Sequence, residues 1–162
     1  MPSISSPRII PNLWFNTNGA DAVDFYVSVF PHSRVTNTTY YTDAGPGPAG
    51  SVLTVDFELG DLKLTAINGG ADFPFTEAIS FLVLCANQEE VDYYWDMLTD
   101  GGSEVQCGWL KDKFGLSWQI VPEGMEKLLA GDDAEAATRA FNAMFGMKKI
   151  DLAALQAAYN RE

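Results

Sequence analysis

The sequence predicts an α+β fold: two tandem β-α-β-β-β modules followed by C-terminal helices. Three observations carry this. The stretches "DAVDFYVSVF" and "EEVDYYWDML" read alike, with Val23 falling on Val91, Asp24 on Asp92 and Tyr26 on Tyr94. Each follows a short apolar run and precedes alternating runs broken by Gly-containing turns. After Pro122 the alternation stops and an Ala-, Leu- and Met-rich segment begins. A helix covers one face of its own four-stranded sheet and leaves the other bare. Two modules side by side are therefore expected to form one curved, eight-stranded mixed sheet with a concave face. The 162 residues read as a single domain, with modules at about 8–68 and 78–122 and a tail at about 123–160.

Each element has its own warrant. Residues 9–15 and 79–84 are too short for helices and rich in branched and aromatic side chains, so both are strands. Polar turns follow them. Ala22, Phe25, Tyr26, Val29 and Phe30 then recur at helical spacing, as do Val91, Tyr94, Trp95 and Leu98. That stripe predicts helices over about 19–30 and 88–100, ended by "FPHS" and "DGGS". "RVTNTTYYT", residues 34–42, has the β-branched and Tyr content of a strand. "SVLTVDFEL" and "LKLTAIN" alternate across a Gly-Asp turn and read as a hairpin. "SEVQC-GWL" and "LSWQIV" form the second hairpin, joined through "KDKFG". "DAGPGPAG" is a Gly/Pro loop, expected to be mobile and to hang over one face. In the tail, caps at Asp132 and Asp151 and ends near Gly131 and Gly146 give two or three short helices. Met125, Phe141, Met144, Phe145 and Met147 read as packing residues.

Composition excludes several classes of partner. The formal net charge is −12, which repels phosphate backbones and anionic lipid, so neither nucleic acid nor membrane is expected as a partner. No apolar run approaches the ~18 residues of a membrane span. "MPSISSPRII" has no signal-peptide core, and two cysteines, Cys85 and Cys107, suit a reducing compartment, so the expected location is cytoplasmic. The single histidine, His32, lies in a turn. One imidazole excludes a multi-histidine zinc site within a chain and leaves a Ser–His–Asp triad only His32 to use.

Strand alternation assigns the candidate site. Leu13 and Phe15 belong to the helix side, so Asn12 and Trp14 face the cavity. Leu53, Val55, Phe57 and Leu59 form one apolar set, with Thr54, Asp56, Lys63 and Thr65 opposite. Ser117 and Gln119 point inward on the last strand, beside Trp109 and Cys107. Trp14 and Trp109 either floor a cavity or fill the core. Asp56 is either a site carboxylate or the partner of Lys63. Cys107 has no base beside it in sequence, as a nucleophile needs.

The stretches "IIPNLWFNTNGADAVDFYVSVFPHSRV", "VDYYWDMLTDGG", "CGWLKDKFGLSWQIVP" and "AFNAMFGMKKIDLAALQAAY" together resemble the PhnB-like family. That family is often labelled 3-demethylubiquinone-9 3-methyltransferase. It is part of the vicinal oxygen chelate superfamily of glyoxalase I, extradiol dioxygenases and bleomycin-resistance proteins. The resemblance implies a divalent-metal site with ligands from four strands. Carried over, those positions fall at Ile10 or Pro11, near Thr54, at about Ser80 and on Gln119. Asp56 lies two residues on from Thr54, on the same face. One amide, two hydroxyls and that carboxylate could hold Mg²⁺ weakly but do not suit a transition metal, so no metal or other cofactor is expected. For methyl transfer in a nucleotide-binding fold, a Gly-rich loop between strand and helix is needed; "INGGADF" and "TDGGSEV" read as turns instead.

Two functional expectations follow. The first is a small-molecule-binding protein using Asn12, Trp14, Thr54, Asp56, Ser80, Trp109 and Gln119. The second is a metal-independent or weakly Mg²⁺-dependent lyase, isomerase or transferase acting through Asp56 or Gln119. A pure scaffold would leave the cavity filled. The resemblance also implies a homodimer. The apolar stripe of the tail (Ala137, Ala140, Phe141, Met144, Phe145, Leu152, Leu155 and Tyr159) must cover either a sheet edge or a partner.

Overall fold

In the computed structural model, which describes residues 9–161, the first strand pairs only from Asn12 onward. The first module runs β1 (Asn12–Phe15), α1 (Gly19–Val29), β2 (Arg34–Tyr40), β3 (Val52–Leu59) and β4 (Leu62–Asn68). The second runs β5 (Phe81–Cys85), α2 (Gln88–Thr99), β6 (Ser103–Glu104), β7 (Trp109–Lys111) and β8 (Ser117–Pro122). The tail adds three helices, α3 (Met125–Leu129), α4 (Ala134–Phe145) and α5 (Leu152–Asn160). The chain divides between Phe73 and Pro74 into two compact units. Strand pairing closes within each module, giving two four-stranded mixed sheets of order β1-β4-β3-β2 and β5-β8-β7-β6. In each sheet the first strand lies parallel to the last, and the other pairs are antiparallel.

The duplicated helix does the same work in both units. Ala22, Val23, Tyr26 and Val29 of α1 are buried, as are Leu13, Phe15, Val55, Phe57, Leu64 and Ala66 of the sheet. Tyr26 and Phe57 stack with ring centroids 6.4 Å apart. In the second unit Val91, Trp95 and Leu98 are buried with Cys85, Leu110, Trp118 and Ile120. The helix starts differ. Asn87 caps α2 by accepting from the Glu90 N–H. Asn18 makes no such bond at α1. There the buried Asn68 reaches across from β4: its Oδ1 accepts from Gly19 N–H at 2.8 Å and its Nδ2 donates to Val52 O at 3.1 Å.

Several expectations need correction. β6 has only two residues, because Val105 N–H bonds back to Trp109 O and closes a tight turn. Cys107 therefore lies outside the strands, at φ 60°, and its thiol points to Met144 O at 3.7 Å. The cap of α4 is Asp133, one residue beyond Asp132, since the Asp133 carboxylate accepts from Ala136 N–H. Asp151 caps α5 as expected from the sequence. Half of the apolar stripe of the tail is covered within the chain. Ala137, Ala140, Met144 and Leu155 are buried within the chain. Met144, Ile150 and Leu155 form a core against which Met125, Leu128, Met147 and Cys107 pack. Met147 O and Lys148 O accept from the N–H groups of Cys107 and Gly108, and the Gln88 side chain holds Ile150 O and Leu152 N–H. Phe141 and Phe145 are the exceptions: they meet edge-to-face at 5.0 Å and stay exposed.

Asp112 is 3% exposed and organises the β7–β8 turn. Its carboxylate accepts from Phe114 N–H, Leu116 N–H and the Trp118 indole, the last at 2.8 Å. Asp112→Ala leaves these donors unpaired in a buried site and is expected to destabilise the protein by about 3 kcal/mol, with Asp112→Asn milder. Urea unfolding followed by Trp fluorescence measures this, and an unchanged midpoint for Asp112→Ala would refute it. Cys85 is fully buried, and desolvation, aided by the Glu90 carboxylate, pushes its thiol up to about 11. Roughly one molecule in a thousand is then the reactive thiolate at pH 8. Iodoacetamide at pH 8 is expected to spare Cys85 in the folded protein and to modify it in urea, as read by peptide mass mapping.

Candidate functional site

In each sheet the face turned away from its helix carries the polar residues. In the first, ladder register sets Asn12 beside Thr65 and Trp14 beside Ile67, and sets those two opposite Asp56 and Thr54. Asn12, Trp14, Thr54 and Asp56 therefore share one face, opposite that of Leu13 and Phe15. Trp14 is half-buried; its indole N–H donates to Ala71 O at 2.9 Å and its ring meets Phe73 at 5.3 Å. Gly69 sits against that ring so closely that a Cβ there would fall 1.9 Å from a ring carbon. Asn12 is exposed and bonds locally to Ile10 O.

The polar groups on this face are held by one another. Thr39 and Thr54 share a hydroxyl–hydroxyl bond of 2.6 Å. Asp56 accepts from Thr65 Oγ1 at 2.7 Å and from Asn37 Nδ2 at 3.3 Å, so each carboxylate oxygen is engaged. It does not pair with Lys63: that ammonium reaches Glu58 at 3.4 Å, directly across the ladder, while Arg34 holds the other Glu58 oxygen at 2.7 Å. Asn37 and Thr39 were not legible as site neighbours. "RVTNTTY" offers Thr at both parities, and the ladder slips at Thr36, leaving that residue without a partner position between Val35 and Asn37. Such a bulge reverses the alternation on which a face assignment rests.

In the second sheet, Leu82 and Trp109 lie to either side of Gln119, and Lys111 lies beside Ser117. The Gln119 carboxamide donates to Ser80 Oγ at 2.8 Å. Ser80, Trp109 and Gln119 are thus gathered on one face, with Leu82 and Leu84, both more than half exposed. The Lys111 ammonium pairs with Glu77 and holds that carboxyl below its ordinary range. Ser117 is 1% exposed, and its Oγ, among the described residues, is a buried hydroxyl without a hydrogen-bond partner.

The positions that could hold a metal offer hydroxyls, an amide and one carboxylate, Asp56, both of whose oxygens are already engaged. Ile10 and Pro11 have no ligating side chain, Thr54 is engaged with Thr39, and Ser80 with Gln119. Among the described residues no three His, Cys, Asp or Glu side chains come together as a metal-holding group. His32 is exposed in the turn after α1, at φ 56°. Gly69 and Gly70 follow β4 and lead into an irregular stretch before β5, and Gly101 and Gly102 turn α2 into β6, so neither pair joins a strand to a helix. No helix among the described residues is long and apolar enough to cross a membrane.

Comparison with known proteins agrees with this architecture. The solved structure of protein PA1353 from Pseudomonas aeruginosa is similar in fold, with a TM-score of 0.60 at 21% identity, over 73% of this chain and 98% of that one. The fosfomycin resistance protein FosX from Listeria monocytogenes, solved with Mn(II) and sulfate, superposes with a TM-score of 0.52 at 13% identity, over 76% and 95%. The fold is therefore that of the vicinal oxygen chelate superfamily. No curated protein matches the chain. The PhnB protein of Bacillus cereus, described as a 3-demethylubiquinone-9 3-methyltransferase, is 30% identical, with a TM-score of 0.66 over 72% of this chain and 99% of that one. The family model described as 3-demethylubiquinone-9 3-methyltransferase matches residues 7–121, and the chain belongs to that PhnB-like family.

Proposed function

We propose that this chain binds a small polar or aromatic molecule on its uncovered sheet faces, without a transition metal. One observation carries the reading. On the first sheet a half-buried Trp14 adjoins a row of polar side chains, Thr39–Thr54 and Asn37–Asp56–Thr65, already fixed by mutual hydrogen bonds. Fixed polar groups beside an aromatic surface lower the ordering cost of binding and set orientation. Gln119, Ser80 and Trp109 offer the second sheet's version of the same pairing. A donor set of hydroxyls, an amide and the single Asp56 carboxylate, already engaged by Thr65 and Asn37, supports the metal-free part of the reading, because transition-metal sites gather several imidazole, thiolate or carboxylate ligands. The family's label does not carry methyl transfer with it, since neither Gly pair makes a strand-to-helix loop for a nucleotide-like methyl donor. Two free thiols suit work in the reducing cytoplasm. The exposed Phe141–Phe145 pair supports association of two chains through the tail.

Native mass spectrometry tests these points together. The purified protein is expected at twice its 17.7 kDa chain mass, with a non-covalent organic adduct and no zinc, nickel or iron. Thr54→Val and Gln119→Leu each remove polar contacts while keeping bulk, and are expected to weaken adduct retention roughly tenfold, about 1.4 kcal/mol each. One transition-metal ion per chain, or an adduct indifferent to both substitutions, would defeat the proposal.

A further inference from the structure

A cleft of about 490 Å³ lies in the first unit, at the ends of β1 and β4, beneath the loop of residues 41–51. None of Asn12, Trp14, Thr54 or Asp56 lines it, so it is separate from the sheet face described above. We propose that this cleft is a second binding site, for an uncharged molecule with an apolar ring and an amide or hydroxyl edge.

Its walls are built, although its sequence is Gly/Pro-rich. Tyr41 N–H donates to Ser51 O at 2.8 Å, and Gly50 N–H returns to Tyr41 O at 2.9 Å. Ser51 Oγ donates to Pro48 O at 2.6 Å, and the Tyr41 hydroxyl donates to Asn68 O at 2.6 Å. The loop wraps the Tyr41 ring closely: a Cβ at Gly45 or at Gly47 would fall 2.5 Å from a ring carbon. The loop is thus fastened to the end of β4 and presents a fixed wall.

The lining decides the ligand class. It contains no Asp, Glu, Lys, Arg or His. An anion would meet no cation there and would face a chain of net charge −12. A cation would shed water without gaining a carboxylate. Pro46, Pro48, Val52 and Ala20 supply apolar surface. The Asn16 carboxamide and the Thr17 hydroxyl supply donors and acceptors: both residues are exposed, and neither side chain has a partner among the described residues. The Asn68 carboxamide, by contrast, is engaged at both its oxygen and its nitrogen in holding α1 and β3. The volume lies within the ~300–1,000 Å³ typical of small-molecule pockets.

Benzamide, benzoate and benzamidine have nearly the same shape and differ in charge, so they serve as probes in ¹⁵N–¹H correlation spectra of the full chain. Benzamide is expected to shift the amides of Thr17, Ala20, Ser51, Gly69 and Gly70 saturably, at about millimolar affinity for so small a molecule. The two charged probes are expected to bind at least ~10-fold more weakly. Ala20→Leu projects bulk into the cleft from the start of α1 and is expected to weaken benzamide at least ~10-fold. Tyr41→Phe removes the loop's anchor on Asn68 O and is expected to weaken it at least ~3-fold. A thermal melt checks that both variants fold; should Ala20→Leu not fold, Tyr41→Phe and the probe comparison decide. Non-saturating shifts, equal binding of the three probes, or shifts confined to Thr54, Asp56 and Thr65 would overturn the proposal.

Discussion

The first module hangs on one carboxamide. Asn68 ends β4, is 7% exposed, and holds three other segments at once. Its side chain binds the first N–H of α1 and the first carbonyl of β3, and its own carbonyl receives the Tyr41 hydroxyl. α1 has no cap of its own, so the start of the helix is fixed from across the sheet. Gly19 is required for the approach, since a Cβ there would lie 2.7 Å from Asn68 Oδ1. The register Phe15–Asn68 has its counterpart in Cys85–Pro122. Proline has no side-chain donor or acceptor, and α2 is capped locally by Asn87 instead. The two modules repeat a topology without repeating the bond that locks it.

That difference explains what could be read from residues alone. The helices were legible because an apolar stripe of period 3.6 has one interpretation: Ala22, Tyr26 and Val29 of the α1 stripe are buried, although Phe25 and Phe30 are only half-buried and Val23, outside the stripe, is buried with them. Sheet faces were legible where alternation ran unbroken, from Leu13 to Phe15 and from Leu64 to Asn68. They were not legible in β2, where a bulge shifts parity and Thr occupies both sides. The partner of Asp56 was hidden for the same reason: the nearest opposite charge in sequence, Lys63, sits across from Glu58, and Asn37 comes in from the bulged strand. In the tail, periodicity marked an apolar stripe but could not say what would cover it. Coverage by Ile150, Leu128 and the turn at Cys107 depends on contacts between segments far apart in the chain.

The tail lies beyond the span that the family model matches. The matched span ends at residue 121, one residue before β8 ends. The three helices beyond it are nonetheless integral to the second unit. In the link between α4 and α5, the Met147 and Lys148 carbonyls satisfy the N–H groups of Cys107 and Gly108, and Lys149 reaches Asp92 on α2 at 2.8 Å, holding that carboxyl below its ordinary range. Exposed ion pairs of this kind contribute little, so the buried Met144–Ile150–Leu155 core and the Gln88 bonds do most of the fastening.

The bulge that obscured β2 has a further consequence. β2 is an outer strand of seven residues, and one side of its backbone has no ladder partner within the sheet. A long flat strand in that position is a template on which a second chain can add by backbone hydrogen bonding. Here the extra residue at Thr36 and a second shift between Thr39 and Tyr40 interrupt the straight row of donors and acceptors, and Arg34 sets a charge at its start. The second module answers the same hazard by cutting its outer strand β6 to two residues. Besides its net charge, the chain therefore carries a local brake on edge-to-edge aggregation in each module, reached by a different route in each.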